Sequence, residues 1–170
     1  VASLVVTAVN DAPVRTAGSV NNLVVAEDSG LTSLGLGGLA YSPGGGADES
    51  GQAFTVNVTV IPHSTFFGNI FLSDGVTQVT TGVYTLTQLQ GMQFAPASNV
   101  SGGPSFFSFN IQDSGGTANG GADSVYESMQ ITINAVNDEE VLSTNTGMTV
   151  LEGSVGNVVT TAMLQTTDID

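Results

Sequence analysis

Apolar residues along this chain recur with a period of two far more than with a period of 3.6. In residues 53–62, Phe54, Val56, Val58 and Val60 fall on one side and Thr55, Asn57 and Thr59 on the other, the alternation of a strand with one wet face. Residues 105–112 repeat the pattern with Phe107, Phe109 and Ile111, and residues 125–136 with Met129, Ile131, Ile133 and Ala135. Shorter extended pieces are predicted over 2–9, 20–26, 66–72, 76–80 and 83–86. Pro13 follows the first of them, and proline cannot donate to a ladder. Leu31, Leu34, Leu36 and Leu39 stand amid glycines, which disfavours a helix and leaves a buried strand or a short turn. Helix signals are otherwise nearly missing, with one helical turn allowed over 87–92. Between the extended runs lie clusters of Gly, Asn, Asp and Ser, at 42–51, 73–75, 99–104 and 113–116, which are turn and loop compositions. The pattern predicts an all-β chain folded as an antiparallel sandwich, two sheets about 10 Å apart over a core of ordinary size that needs no cofactor to fold.

The words at the end of the last long strand occur twice. Val6-Thr7-Ala8-Val9-Asn10-Asp11 returns as Ile133-Asn134-Ala135-Val136-Asn137-Asp138, and Val25-Ala26-Glu27-Asp28-Ser29 is echoed at nearly the same offset by Val150-Leu151-Glu152-Gly153-Ser154. Internal repetition marks the modules of an array. Residues 1–9 are therefore expected to be the last strand of a preceding repeat, 10–138 a complete module and 139–170 the beginning of the next. On this reading the chain is a piece of a longer polypeptide, and the stretch after Asp138 is its least ordered part unless it docks on something.

Charge narrows the function. There are 15 acidic residues against one arginine (Arg15), no lysine and one histidine (His63), for a formal charge of −14. Nucleic-acid binding, which relies on Lys and Arg to neutralise phosphates, is close to excluded, and anionic membrane surfaces are disfavoured for the same reason. No apolar run approaches the ~18 residues of a membrane span, so no membrane insertion is expected. The chain has no cysteine, hence no disulfide framework and no thiolate metal site. With 9 % charged and 41 % hydrophobic residues, the acids decorate a folded body rather than a disordered chain. Such a surface needs counter-ions, either dissolved sodium or divalent cations seated between clustered carboxylates.

Catalysis finds little to stand on. His63 follows Pro62 with no Gly-x-Ser-x-Gly elbow, no His-Glu-x-x-His and no phosphate loop around it, and reads as an ordinary loop residue. Paired carboxylates for glycoside hydrolysis would need an aromatic-lined cleft, and the chain has no Trp and only Tyr41, Tyr84 and Tyr126. The protein is expected not to be an enzyme. A carbohydrate-binding sandwich would need an exposed aromatic platform. Phe66-Phe67 and Tyr126 are the candidates, and both read as core or sheet-face packing. Calcium takes six to eight oxygens from carboxylates, amide side chains and backbone carbonyls in irregular geometry. Acids at strand ends beside Gly or Asn suit it, although each taken singly reads equally well as a solvated turn acid or an Asx turn.

Val9-Asn10-Asp11-Ala12-Pro13 resembles the Asn-Asp-x-Pro linker of cadherin-like repeats, and the unit from Val6 to Asp138 is similar to the tandem cadherin-like modules of giant bacterial surface adhesins. Leu151-Glu152-Gly153 with Asp168-Ile169-Asp170 looks like the opening of a further cadherin-like or chondroitin-sulfate-proteoglycan-type repeat. The resemblance implies a Greek-key, cadherin/immunoglobulin-like β-sandwich of about seven strands, extracellular or at the cell surface, acting as a rigid spacer or adhesion unit. It implies Ca2+ between modules. A lower junction would use Glu27, Asn137, Asp138, Asp168 and Asp170, and an upper one Asn10 and Asp11 with Asp113 and the Asp48-Glu49 loop. The implied partners are neighbouring repeats of the same chain and a cell-surface protein or glycan. Two departures stand out: Asp48-Glu49 is a contiguous pair rather than Asp-x-Asp, and Glu139-Glu140 stands where the first linker has Ala12-Pro13.

Overall fold

In the computed structural model, which describes residues 2–168, the chain divides into two compact units, Val1–Asn134 and Ala135–Asp170. Ten strands belong to the first: β1 Val14–Ala17, β2 Leu23–Ala26, β3 Thr32–Ser33, β4 Ala40–Ser42, β5 Phe54–Val60, β6 Gly68–Phe71, β7 Gly82–Tyr84, β8 Gln93–Pro96, β9 Gly102–Asp113 and β10 Ser124–Asn134. A five-residue helix, α1 Leu86–Gln90, lies between β7 and β8. In the second unit, β11 Val141–Asn145 and β12 Leu164–Thr167 pair as an antiparallel ribbon.

The first unit is an all-β sandwich. Its larger sheet has the order β2-β10-β9-β5-β7, the smaller β3-β8-β6, and β1 pairs with β4 as a separate ribbon. All of these pairings are antiparallel except β10 with β2, where Ile131 lies beside Leu23 and Ile133 beside Val25. The period-two runs do what their pattern demands. Val56 and Val58 of β5, Phe107, Phe109 and Ile111 of β9, and Met129, Ile131 and Ile133 of β10 all face inward and are buried. They meet Phe67, Ile70, Phe94, Leu89 and Met92 in one apolar cluster, the burial that drives folding. Helix α1 is fixed by a capping box. Gln88 N–H donates to the Thr85 hydroxyl oxygen at 3.1 Å, and Thr85 N–H donates to Gln88 Oε1 at 2.8 Å, which satisfies two otherwise orphaned donors.

Ten strands, not about seven, make up the sandwich, and their bounds differ from the pattern in instructive places. Residues 2–9 form no strand. They have no ladder partner, and Leu4, Val5 and Val6 are exposed. The first strand comes only after Pro13, as β1, whose four residues are all exposed and show no alternation. The leucine stretch splits. Leu34, Leu36 and Leu39 are buried, yet they lie in the connection between β3 and β4, where Leu39 N–H bonds back to Leu36 O at 3.1 Å. A core plug inside a turn-rich loop mimics the period of a strand. Residues 76–80 contribute only a bridge between Gln78 and Phe71, and β9 begins inside the predicted 99–104 loop.

Candidate functional site

The Asn10-Asp11 segment, expected as a linker, is seated at one end of the sandwich, where the β9–β10 turn and the loop before β5 close over it. Asn10 makes the central contacts. Its amide nitrogen donates to Asp113 Oδ1 at 3.0 Å and to the Ala122 carbonyl at 2.6 Å, while its oxygen accepts from Gln52 Nε2 at 2.7 Å. Its backbone carbonyl also accepts the Ala122 N–H at 2.9 Å. Asn10 thus bridges two segments far from it in sequence, the loop before β5 and the β9–β10 turn. The seat exists because two positions have no side chain: a Cβ on Gly115 would fall 1.7 Å from Asn10 Oδ1, and one on Gly121 would fall 3.0 Å from the Asn10 carbonyl oxygen.

Next to it, Glu49 is only 4 % exposed and turns its carboxylate onto the chain instead of toward solvent. Oε1 accepts the Asp11 N–H at 2.8 Å and Oε2 the Gly45 N–H at 2.9 Å. A Cβ on Gly45 would lie 2.4 Å from the carboxyl carbon. Charge-assisted bonds of this kind are among the stronger ones a folded chain makes. Asp113, 5 % exposed, uses Oδ1 for Asn10 and for the Gly115 N–H at 3.0 Å. Its other oxygen, Oδ2, is buried with no hydrogen-bond partner, as is Gln52 Oε1. Asp48 is exposed and lines the mouth of the adjoining cleft of about 200 Å³, with Ala8, Val9, Asn10, Glu49, Gln52 and Gly115.

Of the sequence-derived upper set, then, the fold brings Asn10, Asp11, Glu49 and Asp113 together and leaves Asp48 at the rim. As a seat for calcium the arrangement fits in part. Two buried oxygens lack donors, which suits a cation, and calcium accepts amide and carbonyl oxygens beside carboxylates. Against that, both Glu49 oxygens and the Asn10 amide already have partners. Among the described residues no three or more His, Cys, Asp or Glu side chains are grouped so as to hold a metal ion.

Residues implied for the lower junction divide between the two units. Glu27, 6 % exposed, follows β2 at the opposite end of β10 from Asn10, with its N–H on the Asn134 carbonyl at 2.9 Å. Asn137, Asp138 and Asp168 belong to the second unit. There the pairing of Val141 with Thr167 sets Asp168 at the same end of the ribbon as Asp138, Glu139 and Glu140, and the exposed Asn137 amide donates to the Asp138 carbonyl at 2.8 Å. Asp170 lies outside the described residues.

Three features of the first unit are not visible in the sequence pattern. Gln52 holds Asn10, and nothing in its local sequence marks it. Gly45, Gly115 and Gly121 give the Asn10-Asp11 segment room, and a glycine's role as empty space shows only when its neighbours are known. The third is the fate of the single arginine. Arg15 on β1 pairs with Glu127 at 3.5 Å, and Tyr41, its cross-strand neighbour on β4, donates to the same Glu127 oxygen at 3.3 Å. Glu127 sits on the inward-facing side of β10, so this trio ties the β1–β4 ribbon to the large sheet. That a lone cation would be claimed by some acid was foreseeable; which acid was not.

Fold and site together define a β-sandwich whose Asn10-Asp11 segment is clamped by amides and carboxylates. Comparisons with protein-family models, with curated proteins and with solved structures gave no match. Among the described residues no helix is long and apolar enough to cross a membrane.

Proposed function

We propose that this chain is a calcium-stiffened spacer module of a long extracellular or cell-surface protein, with the seat of the Asn10-Asp11 linker as its ion site. The observation that carries the reading is Asp113 Oδ2, a carboxylate oxygen buried without a donor, with Gln52 Oε1, on the other side chain that holds Asn10, likewise unpartnered. A buried, unpaired carboxylate oxygen is costly, and a cation offsets that cost. Asp113, Gln52 and Glu49 would hold the ion, with Asn10 and Asp11 following from the linker. When bound it would supply positive charge to a chain that has almost none, so that acids on either side of a linker no longer repel and the joint stiffens. The test is calorimetric titration of the intact chain with calcium chloride, paired with thermal melting in calcium and in chelator. Saturable heat and a raised Tm are expected in the wild type, and both should be lost in Asp113→Ala. Absence of heat with an unchanged Tm overturns the calcium reading.

One observation favours a second reading. Every polar atom of the Asn10 side chain and both Glu49 oxygens are already satisfied within the chain. A hydrogen-bonded latch of this kind holds a linker without any ion, leaving the remaining acids to keep a calcium-independent spacer soluble. The same titration separates the two: only the first reading gives saturable heat.

A further inference from the structure

The outward positions of the five-stranded sheet hold no charged residue, and a carboxylate meets the face only at its end, where Gln112 donates to Asp123 at 2.8 Å. Its outward positions carry Val24 and Ala26 on β2, polar residues and Tyr126 on β10, Phe106, Ser108, Asn110 and Gln112 on β9, Thr55, Asn57 and Thr59 on β5, and Val83 on β7. The chain has 15 acidic residues, and not one occupies these positions. Strand register places Val83, Asn57, Asn110 and Tyr126 side by side in a single row, spanning three inter-strand spacings, about 14 Å. Amide side chains in such a row offer donors and acceptors to a ligand rich in hydroxyls.

Tyr126 is the unusual member. It is 61 % exposed, and two serines stand next to it, Ser108 and Ser128. Those two serines pair with each other across β9 and β10 with their oxygens 2.9 Å apart, and they lie one outward position further along the strands, about 7 Å away. Ser108, although on the wet side of β9, is only 2 % exposed, so side chains on this face cover it. On the far side of this serine pair stands Phe106, 46 % exposed. Tyrosine supplies a large, amphipathic stacking surface with few rotatable bonds, so it loses little freedom when a ligand stacks on it.

We infer that the Tyr126–Asn110–Asn57 row is a binding face for an uncharged oligosaccharide. Sugar C–H groups stack on the Tyr126 ring, and sugar hydroxyls bond to the Asn57 and Asn110 amides. Charge decides against other occupants. A cationic partner would be drawn to the acidic turns and find no counter-charge in this row, and an anionic glycan is repelled by the chain as a whole. The probe is a printed array of neutral and acidic glycans read with the intact chain, with and without chelator, followed by titration with the neutral oligosaccharides retained. Retention of neutral glycans is expected, indifferent to chelator, with about a tenfold or greater loss of affinity in Tyr126→Ala and in the Asn57→Ala/Asn110→Ala double variant. Tyr126→Phe should keep most of the binding because the stacking ring remains. These substitutions are on the surface, and unchanged melting points confirm that the variants fold. No neutral glycan retained, or retention undiminished in Tyr126→Ala, overturns the proposal. So does a concentration-dependent dimer in sedimentation velocity that Tyr126→Ala abolishes, which would make the face a contact between copies of this chain.

Discussion

Asn10 and Asn137 stand in the same sequence words and have different fates. Asn10 is partly buried and bridges Gln52, Asp113 and Ala122; Asn137 is exposed and its amide turns onto the carbonyl of its own neighbour, Asp138. The motif is therefore not what orders the segment that carries it. What orders it is a receiving surface: two turns of a sandwich, cleared of side chains at Gly115 and Gly121, with a carboxylate and an amide oriented inward. Asn-Asp is one half of a contact, and the half that decides comes from elsewhere in the fold.

The comparison can be broken most forcefully by filling the space. Gly115→Ala places a Cβ where Asn10 Oδ1 lies, so the Asn10 side chain must leave and its three partners lose it. Denaturant unfolding is expected to show a loss of about 2 kcal/mol, with faster proteolysis ahead of Pro13. In an Asn10→Ala background the same substitution should cost far less, because the two act through one contact. Additive costs would show that Gly115 serves something other than the Asn10-Asp11 segment. Next in size, Asn10→Ala is expected to destabilise by about 1–2 kcal/mol and Asn137→Ala by about zero. Equal effects would erase the contrast drawn above.

Two smaller effects concern how the rest of the first unit is pinned. Burial first, and then the charge and hydrogen bond of Glu127, push the Tyr41 phenol above its ordinary value, with Arg15 pulling the other way. A raised folded-state pKa contributes stability that is fully present below the unfolded value, about 10, and is lost as pH rises beyond it. Stability should fall on the alkaline side, less steeply in Tyr41→Phe, and phenolate absorbance should show one tyrosine titrating late. A tyrosine spectrum that titrates as one uniform group contradicts this. The smallest effect is acidic. Asp74 accepts from the Thr77 hydroxyl at 2.5 Å and from the Val76 and Thr77 N–H groups at 2.9 and 2.8 Å, which holds its carboxyl below the usual range. Its contribution is present above the unfolded aspartate value of about 3.9 and is lost as pH falls through the lowered one. Asp74→Ala should lower stability slightly at neutral pH and make no difference once the carboxyl is protonated, flattening the acid limb, and an unaltered acid limb would count against it.

Much of the first unit was legible beforehand. The inward faces of β5, β9 and β10 follow from alternation alone, and the turns at Asp48-Glu49 and Asp113 were readable as neighbours of the first linker once a sandwich was assumed. The misreadings have a common cause. Residues 2–9 alternate well enough for a strand but have no partner to pair with, while Val14–Ala17 shows no pattern and pairs with Ala40–Ser42. Ladder formation depends on what lies alongside, and period reports only what a segment would do if something did. Tyr126, read as core or sheet-face packing, is 61 % exposed on the wet side of β10, the side it shares with Gln130 and Thr132.

By itself the sequence determined the class of fold, the composition of the core and the excess of acid at the turns, because period, propensity and charge are properties of neighbouring residues. Only the tertiary structure decided which acids are buried, which oxygen of Asp113 is left without a donor, which acid takes the single arginine and which wet face holds no charged residue. These depend on partners such as Asn10 and Asp113, 103 positions apart, and no local pattern carries the geometry of a hydrogen bond that closes so long a loop.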